Sequence, residues 1–164
     1  MAGTRVHEIA DGYVAAHAAL DPTGATQVGI DDHATRLTDH SPDGLAARAD
    51  LARATRRAVL EAEPANERDR VAAEYLAERL GAELALEDLG EGLRALSVLG
   101  GPIQETRMVF DAMAREDHDD WEAIALRLGE VPASLASARA ALEEGRGRRL
   151  VAARRQAAGV ARQA

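Results

Sequence analysis

The chain has 164 residues and a net charge of −8, so its length fits one domain and its acidic balance argues against a nucleic-acid-binding role. It contains no cysteine, which excludes disulfide bonds and thiol catalysis. Aromatic residues are only 2%, so the core must be built from Leu, Val and Ala, which favours closely packed helices over sheets.

The N-terminal third predicts two helices and a loop. The first helix runs from about Arg5 to Leu20, with Thr4 as its N-cap. A short helix follows over residues 22–28, because Asp21 can cap it and a proline suits its first position. Residues 30–40, "IDDHATRLTDH", lack periodicity and are predicted to form a loop.

The middle of the chain predicts a helix hairpin. Ser41 caps a helix over residues 42–62, and Pro64 ends it. A second helix occupies residues 67–88 and ends near Gly90. Only a short connection separates the two, so we expect them to pack antiparallel. The second helix should face the core through four residues at helical spacing, Ala72, Leu76, Leu80 and Leu84, with Val71 and Tyr75 beside them.

The C-terminal part predicts further helices. "LRALSVLGG" is short, apolar and compatible with an extended segment, and Pro102 then opens a helix. One helix should begin near Asp119 and another after Pro132. The fold class is therefore all-α: an irregular array of six to seven helices around a central antiparallel hairpin, with at most one short strand, in a single helical region over residues 1–164.

The Arg-rich C-terminal end, residues 148–164, carries a positive charge, whereas the chain as a whole is acidic. It carries Leu150, Val151 and Val160 among mostly alanine and arginine, too little apolar surface to hold a helix firmly. We expect a weakly docked C-terminal helix. The arginines of the longer stretch 145–164 could bind nucleic acid or a membrane surface, but pairing with carboxylates elsewhere is the favoured interpretation; they are Arg146, Arg148, Arg149, Arg154, Arg155 and Arg162.

His7 and Glu8 form the first half of the HExxH zinc motif, in which two histidines one helical turn apart hold a metal. The second histidine is replaced by Asp11, and His17 lies roughly 15 Å further along the helix. A carboxylate can bind zinc, but the site would still lack a third ligand. An exposed pair in the first turn of a helix is the favoured interpretation.

Two other clusters contain metal-ligating residue types. The loop carries Asp31, Asp32, His33, Asp39 and His40, although acidic residues are common in loops because they bond their own backbone. The second cluster, "REDHDDW", carries Glu116, Asp117, His118, Asp119 and Asp120. Acidic residues stabilise a helix N-terminus, and the spacing does not match an EF-hand. The sequence thus predicts no catalytic, cofactor-binding or metal site.

Several phrases, in order, suggest a family. They are "YVAAHAALDPTGATQVGI", "LTDHSPDGLAARADLARAT", "VAAEYLAERLGAELAL", "VLGGPIQETRMVFDAM" and "DDWEAIALRLGEVPASLASARAALEEGRGRRLVAARRQ". This succession, from about residue 5 to the end, resembles the N-terminal part of the domain of unknown function 885 family of bacterial proteins.

The resemblance implies a longer parent protein similar to helical zinc metallopeptidases, with a HExxH helix downstream of the matched region. No residue here matches a metal ligand or a catalytic base of the family. The chain would then be a non-catalytic N-terminal region that forms part of the wall over a substrate cleft. Its expected partner is the missing C-terminal catalytic half, and zinc would belong to the full-length protein.

Two alternatives stay open. The chain could be a stand-alone all-α interaction module that uses an exposed apolar or Arg-rich face. It could also be a minimal metal-dependent hydrolase that uses His7, His33, His40 or His118. The N-terminus lacks the apolar segment of a signal peptide, and no stretch approaches the ~20 apolar residues of a membrane span, so we expect a cytoplasmic protein. The oligomeric state is left open.

Overall fold

The computed structural model describes residues 3–163 and contains only helices and connecting segments in that range. The fold class predicted from the sequence, all-α, is confirmed. The seven α-helices of the described range are α1 Arg5–Leu20, α2 Pro22–Gln27, α3 Pro42–Glu61, α4 Glu67–Asp88, α5 Pro102–Ala112, α6 His118–Gly147 and α7 Arg154–Val160. A 3-10 turn, Glu91–Arg94, lies between α4 and α5.

The starts of the first three helices are set by the predicted caps. The Thr4 hydroxyl accepts a hydrogen bond from the His7 N–H at 3.3 Å. Asp21 caps α2 and Ser41 caps α3 in the same way. Each cap satisfies an N–H group that has no partner within the helix, which explains why these boundaries could be read from the sequence.

The hairpin of α3 and α4 forms as predicted. The two helices run antiparallel: Val59 packs with Ala73 and Ala77, and Arg56 donates from Nε to the Ala77 carbonyl at 3.2 Å. Helix α1 packs against both, and its Val6 completes the buried cluster. Small side chains at these contacts let the helix backbones approach closely.

The buried face of α4 differs from the predicted one by about one residue. Leu80 is buried, at 2% exposure, but Leu76 and Leu84 are only partly buried. The prediction for Ala72 was wrong, because this residue is exposed and Ala73 is buried instead. Alanine occurs on several sides of α4, so the apolar pattern does not define the orientation of the helix sharply.

One C-terminal prediction was wrong. We expected separate helices around Pro132, but α6 continues through this proline. Pro132 and Leu128 are exposed, so the Leu128 carbonyl that loses its N–H donor can bond water. The segment after α4, whose sequence is compatible with an extended conformation, forms the 3-10 turn and an irregular stretch. Gly145 allows this turn to approach α6, since a Cβ there would lie 2.1 Å from the Leu93 carbonyl oxygen.

The C-terminal segment folds back onto the stretch before α5. It is helical only over Arg154–Val160, not from residue 148. Val160 is buried, and the Gln163 side chain donates to the Val98 carbonyl at 3.3 Å. The strength of this docking stays a prediction. No helix within residues 3–163 is long and apolar enough to cross a membrane.

Candidate functional site

A buried polar junction fixes the loop between α2 and α3. The N–H of Thr23 donates to the hydroxyl of Thr38 at 3.1 Å, and the N–H of Thr38 donates to the hydroxyl of Thr23 at 3.2 Å. The Thr38 hydroxyl donates to the Asp21 carboxylate, and the Ser134 hydroxyl of α6 donates to the Thr38 carbonyl at 3.0 Å. The loop is thereby fixed on one side to α2 and on the other to α6.

Arg127 of α6 lies at the centre of this junction, with 0% exposure. Its Nε donates to the Arg36 carbonyl at 2.9 Å. Its Nη2 lies 3.0 Å from the Thr26 hydroxyl, 3.2 Å from the His33 carbonyl and 3.4 Å from the Pro22 carbonyl. One guanidinium group therefore connects α6 to α2 and to the loop through neutral acceptors.

The charge of Arg127 is poorly compensated. Burial lowers the pKa of Arg127 below its usual value, against the opposing effect of Asp31. The Nη1 atom is buried and has no hydrogen-bond partner within residues 3–163. An arginine remains protonated in proteins, so this side chain is a buried cation that depends on its carbonyl partners.

His40 ends the loop and faces the interior. Its backbone N–H donates to the Ser137 hydroxyl of α6 at 2.8 Å. Its side chain is 8% exposed, and its Nε2 atom is buried without a hydrogen-bond partner among the described residues. Burial and the charge of Arg48 lower the pKa of His40, against the raising effects of Asp21 and Asp39. The buried site therefore favours the neutral form of the imidazole.

A cavity of about 210 Å³ lies beside His40, between α5, α6 and the segment that joins the 3-10 turn to α5. Apart from His40 and Arg139, its lining is apolar, and it comprises Gly92, Ala95, Leu96, Pro102, Ile103, Leu135, Ala138, Ala141 and Leu142. Arg139 forms an ion pair with Glu143 at 2.8 Å. Binding pockets commonly combine such an apolar wall with a few polar groups.

A larger depression of about 480 Å³ lies between the start of α3 and the end of α4. Its rim carries charges of both signs, including Arg48, Glu83, Glu87 and Arg148. Burial and the neighbouring Glu83 carboxylate raise the pKa of Tyr13, on the adjacent helix α1, to about 12. None of the buried unpartnered side-chain atoms of the described residues belongs to this rim, so the depression gives no indication of a ligand.

The HExxH-like pair occupies an exposed helical turn. His7 and Asp11 are exposed, and Glu8 lies 3.3 Å from Arg5 in an ion pair. Within residues 3–163, three ligand atoms converge to within 4.8 Å at one place, formed by His118, Asp119 and Glu122, all exposed. Neither His7 nor Asp11 takes part in such a group.

The acidic stretch before α6 acts as a helix cap. Asp117 accepts the Asp120 N–H at 3.0 Å, and Asp120 accepts the N–H groups of Glu116 and Asp117. These carboxylates satisfy free N–H groups at the start of α6, as the sequence analysis expected. His118, Asp119 and Glu122 thus lie on the first exposed turn of a capped helix.

The structure separates the predicted loop cluster. Asp31 and Asp32 are exposed, whereas His40 is buried. Burial alone would raise the pKa of Asp39, but hydrogen bonds from Ser41 and Ser137 and the charge of Arg48 lower it. Asp39 accepts the Ser41 N–H at 2.8 Å, so it organises the turn into α3.

The C-terminal arginines do not act as one group. Arg148 pairs with Glu144 at 2.8 Å, one turn earlier on the chain, and Arg154 and Arg155 are exposed. The main structural residue that sequence reasoning missed is Arg127. The other buried residues of α6 lie on the same face as Arg127, within a sector of about 60°. This spacing was the signal in the sequence that could have indicated a buried position at residue 127. The residues are Ser134, Ala138, Ala141 and Gly145.

The hairpin, the cavity and the junction except for Asp21 lie within one family match. The family model of DUF885, described as a bacterial protein of unknown function, matches residues 22–164. The chain belongs to the DUF885 family. The match begins at Pro22 and includes every residue that Arg127 contacts, while α1 lies outside it. A search of the curated proteins found no significant match to this DUF885 chain.

Proposed function

We propose that this chain is a non-catalytic helical region of a metallopeptidase-like protein of the DUF885 family. Its role would be to pack against the region of such a protein that carries the HExxH zinc site. Membership of the DUF885 family supports the proposal, and the metallopeptidase-like character is what the sequence resemblance to that family implies. In the same proposal, zinc belongs to the partner region and the present residues form part of the wall of the substrate cleft.

The observation that carries the proposal is an exposed apolar stripe along α4. Val71, Tyr75, Leu86 and Leu89 are each more than half exposed, and they lie within a sector of about 60°. These residues form two pairs, Val71 with Tyr75 and Leu86 with Leu89, which lie about 16 Å apart at 1.5 Å per residue with Ala82 between them. Exposed apolar residues grouped on one helix face mark an interaction site more often than singly scattered ones do.

A second stripe lies on α6. Trp121, Leu128 and Leu135 follow one another at intervals of seven residues and are each more than a third exposed. They lie on a different side of the helix from Arg127. Two apolar helix faces are therefore available to a helical partner, which also supports the alternative of a stand-alone interaction module.

Two carboxylates placed on the α4 stripe test the proposal. Tyr75→Glu with Leu86→Glu should leave the melting temperature of the chain nearly unchanged, because both side chains are exposed. The same pair should abolish co-purification with a HExxH-containing region of a DUF885 protein. Ala133→Glu with Ala140→Glu is the matched control, since both residues are exposed on α6, lie outside both stripes and add the same two carboxylates.

The outcomes separate the alternatives. Unchanged co-purification of the stripe variant would contradict the proposed docking. A stable, monodisperse chain that never associates with a HExxH-containing region would favour the stand-alone module. The minimal hydrolase requires metal, so less than about a tenth of an equivalent of zinc, iron or manganese in untagged protein would exclude it. Stoichiometric metal that is lost on His118→Ala, together with metal-dependent hydrolytic activity, would establish it.

A further inference from the structure

The stripe on α6 is a continuous apolar face. Ala125 and Pro132 are exposed and fill the positions between its three larger residues, so its members follow one another at spacings of four and three residues. They lie within a sector of about 80° of the helix surface. No charged residue lies in this sector between the two ends of the stripe, Trp121 and Leu135. The stripe is thus a seam of the kind through which one helix packs against another.

The two ends of the stripe carry opposite charges. Asp117 and Glu122 lie around its N-terminal end. Arg139 lies in the sector of the stripe, one helical turn beyond its C-terminal end. The ion pair of Arg139 with Glu143 is exposed to solvent and contributes little to stability, so the guanidinium is free to bind another carboxylate. An antiparallel pair of stripes places each Arg139 near the acidic end of the other, whereas a parallel pair places like charges together.

The two ends also differ in shape. Trp121 projects from the N-terminal end, with 55% of its surface exposed. At the C-terminal end, Leu135 also lines the open cavity beside His40, so the apolar surface continues from the stripe to Leu142 and Ile103. An antiparallel pair places each tryptophan opposite this recessed end of the other copy. Tryptophan is one of the commonest anchor residues of protein interfaces.

We propose that the α6 stripe binds the same stripe of a second copy of this chain in an antiparallel, two-fold symmetric dimer. The axis passes near residues 128–130, so Trp121 of one copy lies opposite residues 135–139 of the other. Each contact then occurs twice, as a two-fold interface requires. The dimer goes beyond the docking proposed for the α4 stripe and does not use that surface.

The area of the stripe sets the strength of the dimer. The stripe spans about 21 Å at 1.5 Å per residue. A stable interface buries about 800 Å² on each partner, and a stripe with one aromatic residue and two small residues provides less than that. The dimer should therefore dissociate in the micromolar range or above. It should be populated at high protein concentration and lost on dilution.

Sedimentation velocity over a concentration series tests the proposal. The wild-type chain should change from monomer to dimer as its concentration rises to several hundred micromolar. Leu128→Glu should stay monomeric throughout, because the two new carboxylates meet near the two-fold axis. Ala133→Glu, on α6 outside the stripe, is the matched control and should dimerise like the wild type. Tyr75→Glu with Leu86→Glu should also dimerise, because α4 takes no part.

Spin labels test the antiparallel orientation. The chain has no cysteine, so Ala133→Cys and Ala140→Cys each give a single labelling site. Both residues are exposed on α6 outside the stripe. In the proposed dimer, the two labels at residue 140 lie about 20 Å farther apart along the helix axes than those at residue 133. The distance between labels should therefore be longer by about 10 Å or more at residue 140, whereas a parallel pair would give equal distances.

Several results would overturn the proposal. They are a monomer at every concentration, a dimer that Leu128→Glu leaves unchanged, a dimer that is lost in the α4 variant, and equal label distances at the two positions. A monomeric chain in which Leu128→Glu abolishes co-purification with a HExxH-containing region would assign the stripe to that region instead. The co-purification test of the α4 stripe is separate, so failure of either proposal leaves the other standing.

Discussion

The α3–α4 hairpin and the junction around Arg127 are stabilised in different ways. The hairpin packs small apolar side chains of two helices that are adjacent in the sequence, such as Val59 with Ala73 and Ala77. The junction joins α6 to a loop about 90 residues earlier, through hydrogen bonds to backbone carbonyls. Local apolar periodicity therefore determines the first region, whereas the second depends on one long polar side chain that finds distant acceptors.

The largest effect is expected at Arg127. Arg127→Met keeps the length of the side chain but removes a donor from four acceptors, of which only the Pro22 and His33 carbonyls keep a second donor within residues 3–163, so we expect a loss of about 3–5 kcal/mol in the free energy of unfolding. Urea denaturation measures it. Arg127→Lys should lose less, because it keeps the charge with fewer donors. A loss below about 1 kcal/mol for Arg127→Met would show that the junction contributes little to stability.

The hairpin should respond to a cavity rather than to a lost hydrogen bond. Leu80 is among the largest fully buried side chains, and Leu80→Ala should cost about 2–5 kcal/mol. Leu86→Ala, on the exposed side of the same helix, should change stability by about 0.5 kcal/mol or less. Equal losses for the two variants in urea denaturation would mean that the orientation of α4 is wrong.

A smaller loss is expected at the edge of the junction. Thr38→Val has nearly the same shape but removes the hydroxyl that accepts from Thr23 and donates to Asp21. We expect a loss of about 1–3 kcal/mol in the free energy of unfolding, because the Thr23 N–H and the Asp21 carboxylate each lose a hydrogen-bond partner in the protein interior. Thermal denaturation compares it with Thr35→Val in the exposed part of the same loop, which should be close to neutral. Equal melting temperatures for the two variants would argue against the Thr23–Thr38 pairing.

The pH dependence of stability should reflect His40. The folded state lowers the pKa of His40, so the unfolded chain binds a proton more readily than the folded chain does. The stabilisation from the neutral imidazole is therefore complete above the unfolded pKa of about 6.5, and it falls as the pH drops toward the lower folded pKa. His40→Leu should flatten this part of the curve. A wild-type curve that rises on acidification through this range would contradict the assignment.

The sequence predicted most of the local structure because the signals are local. The helix starts are indicated by the N-cap residues Thr4, Asp21 and Ser41, and the ends of the two hairpin helices are indicated by Pro64 and Gly90. Pro132 was misleading, since a proline that opens a helix and one on the exposed side of a continuous helix look alike in sequence.

The candidate site could be predicted only in part. His40 was recognised as a residue with possible chemistry, but its pairing with a cavity depends on α5 and α6, which lie far from it in the chain. Arg127 was not predicted, because arginine is rarely buried and its acceptors are backbone carbonyls, which any sequence supplies. Long-range polar contacts of this kind leave little trace in the pattern of residues.

Native-state hydrogen exchange of the wild type and Arg127→Met tests the difference between the two regions most directly. If Arg127 stabilises the junction locally, the variant should exchange much faster over residues 22–41 and in the middle of α6. Residues 72–84 of the hairpin should then keep most of their protection. An equal increase in exchange over both regions would show that they unfold as one unit, and it would contradict the distinction drawn between local packing and the polar junction.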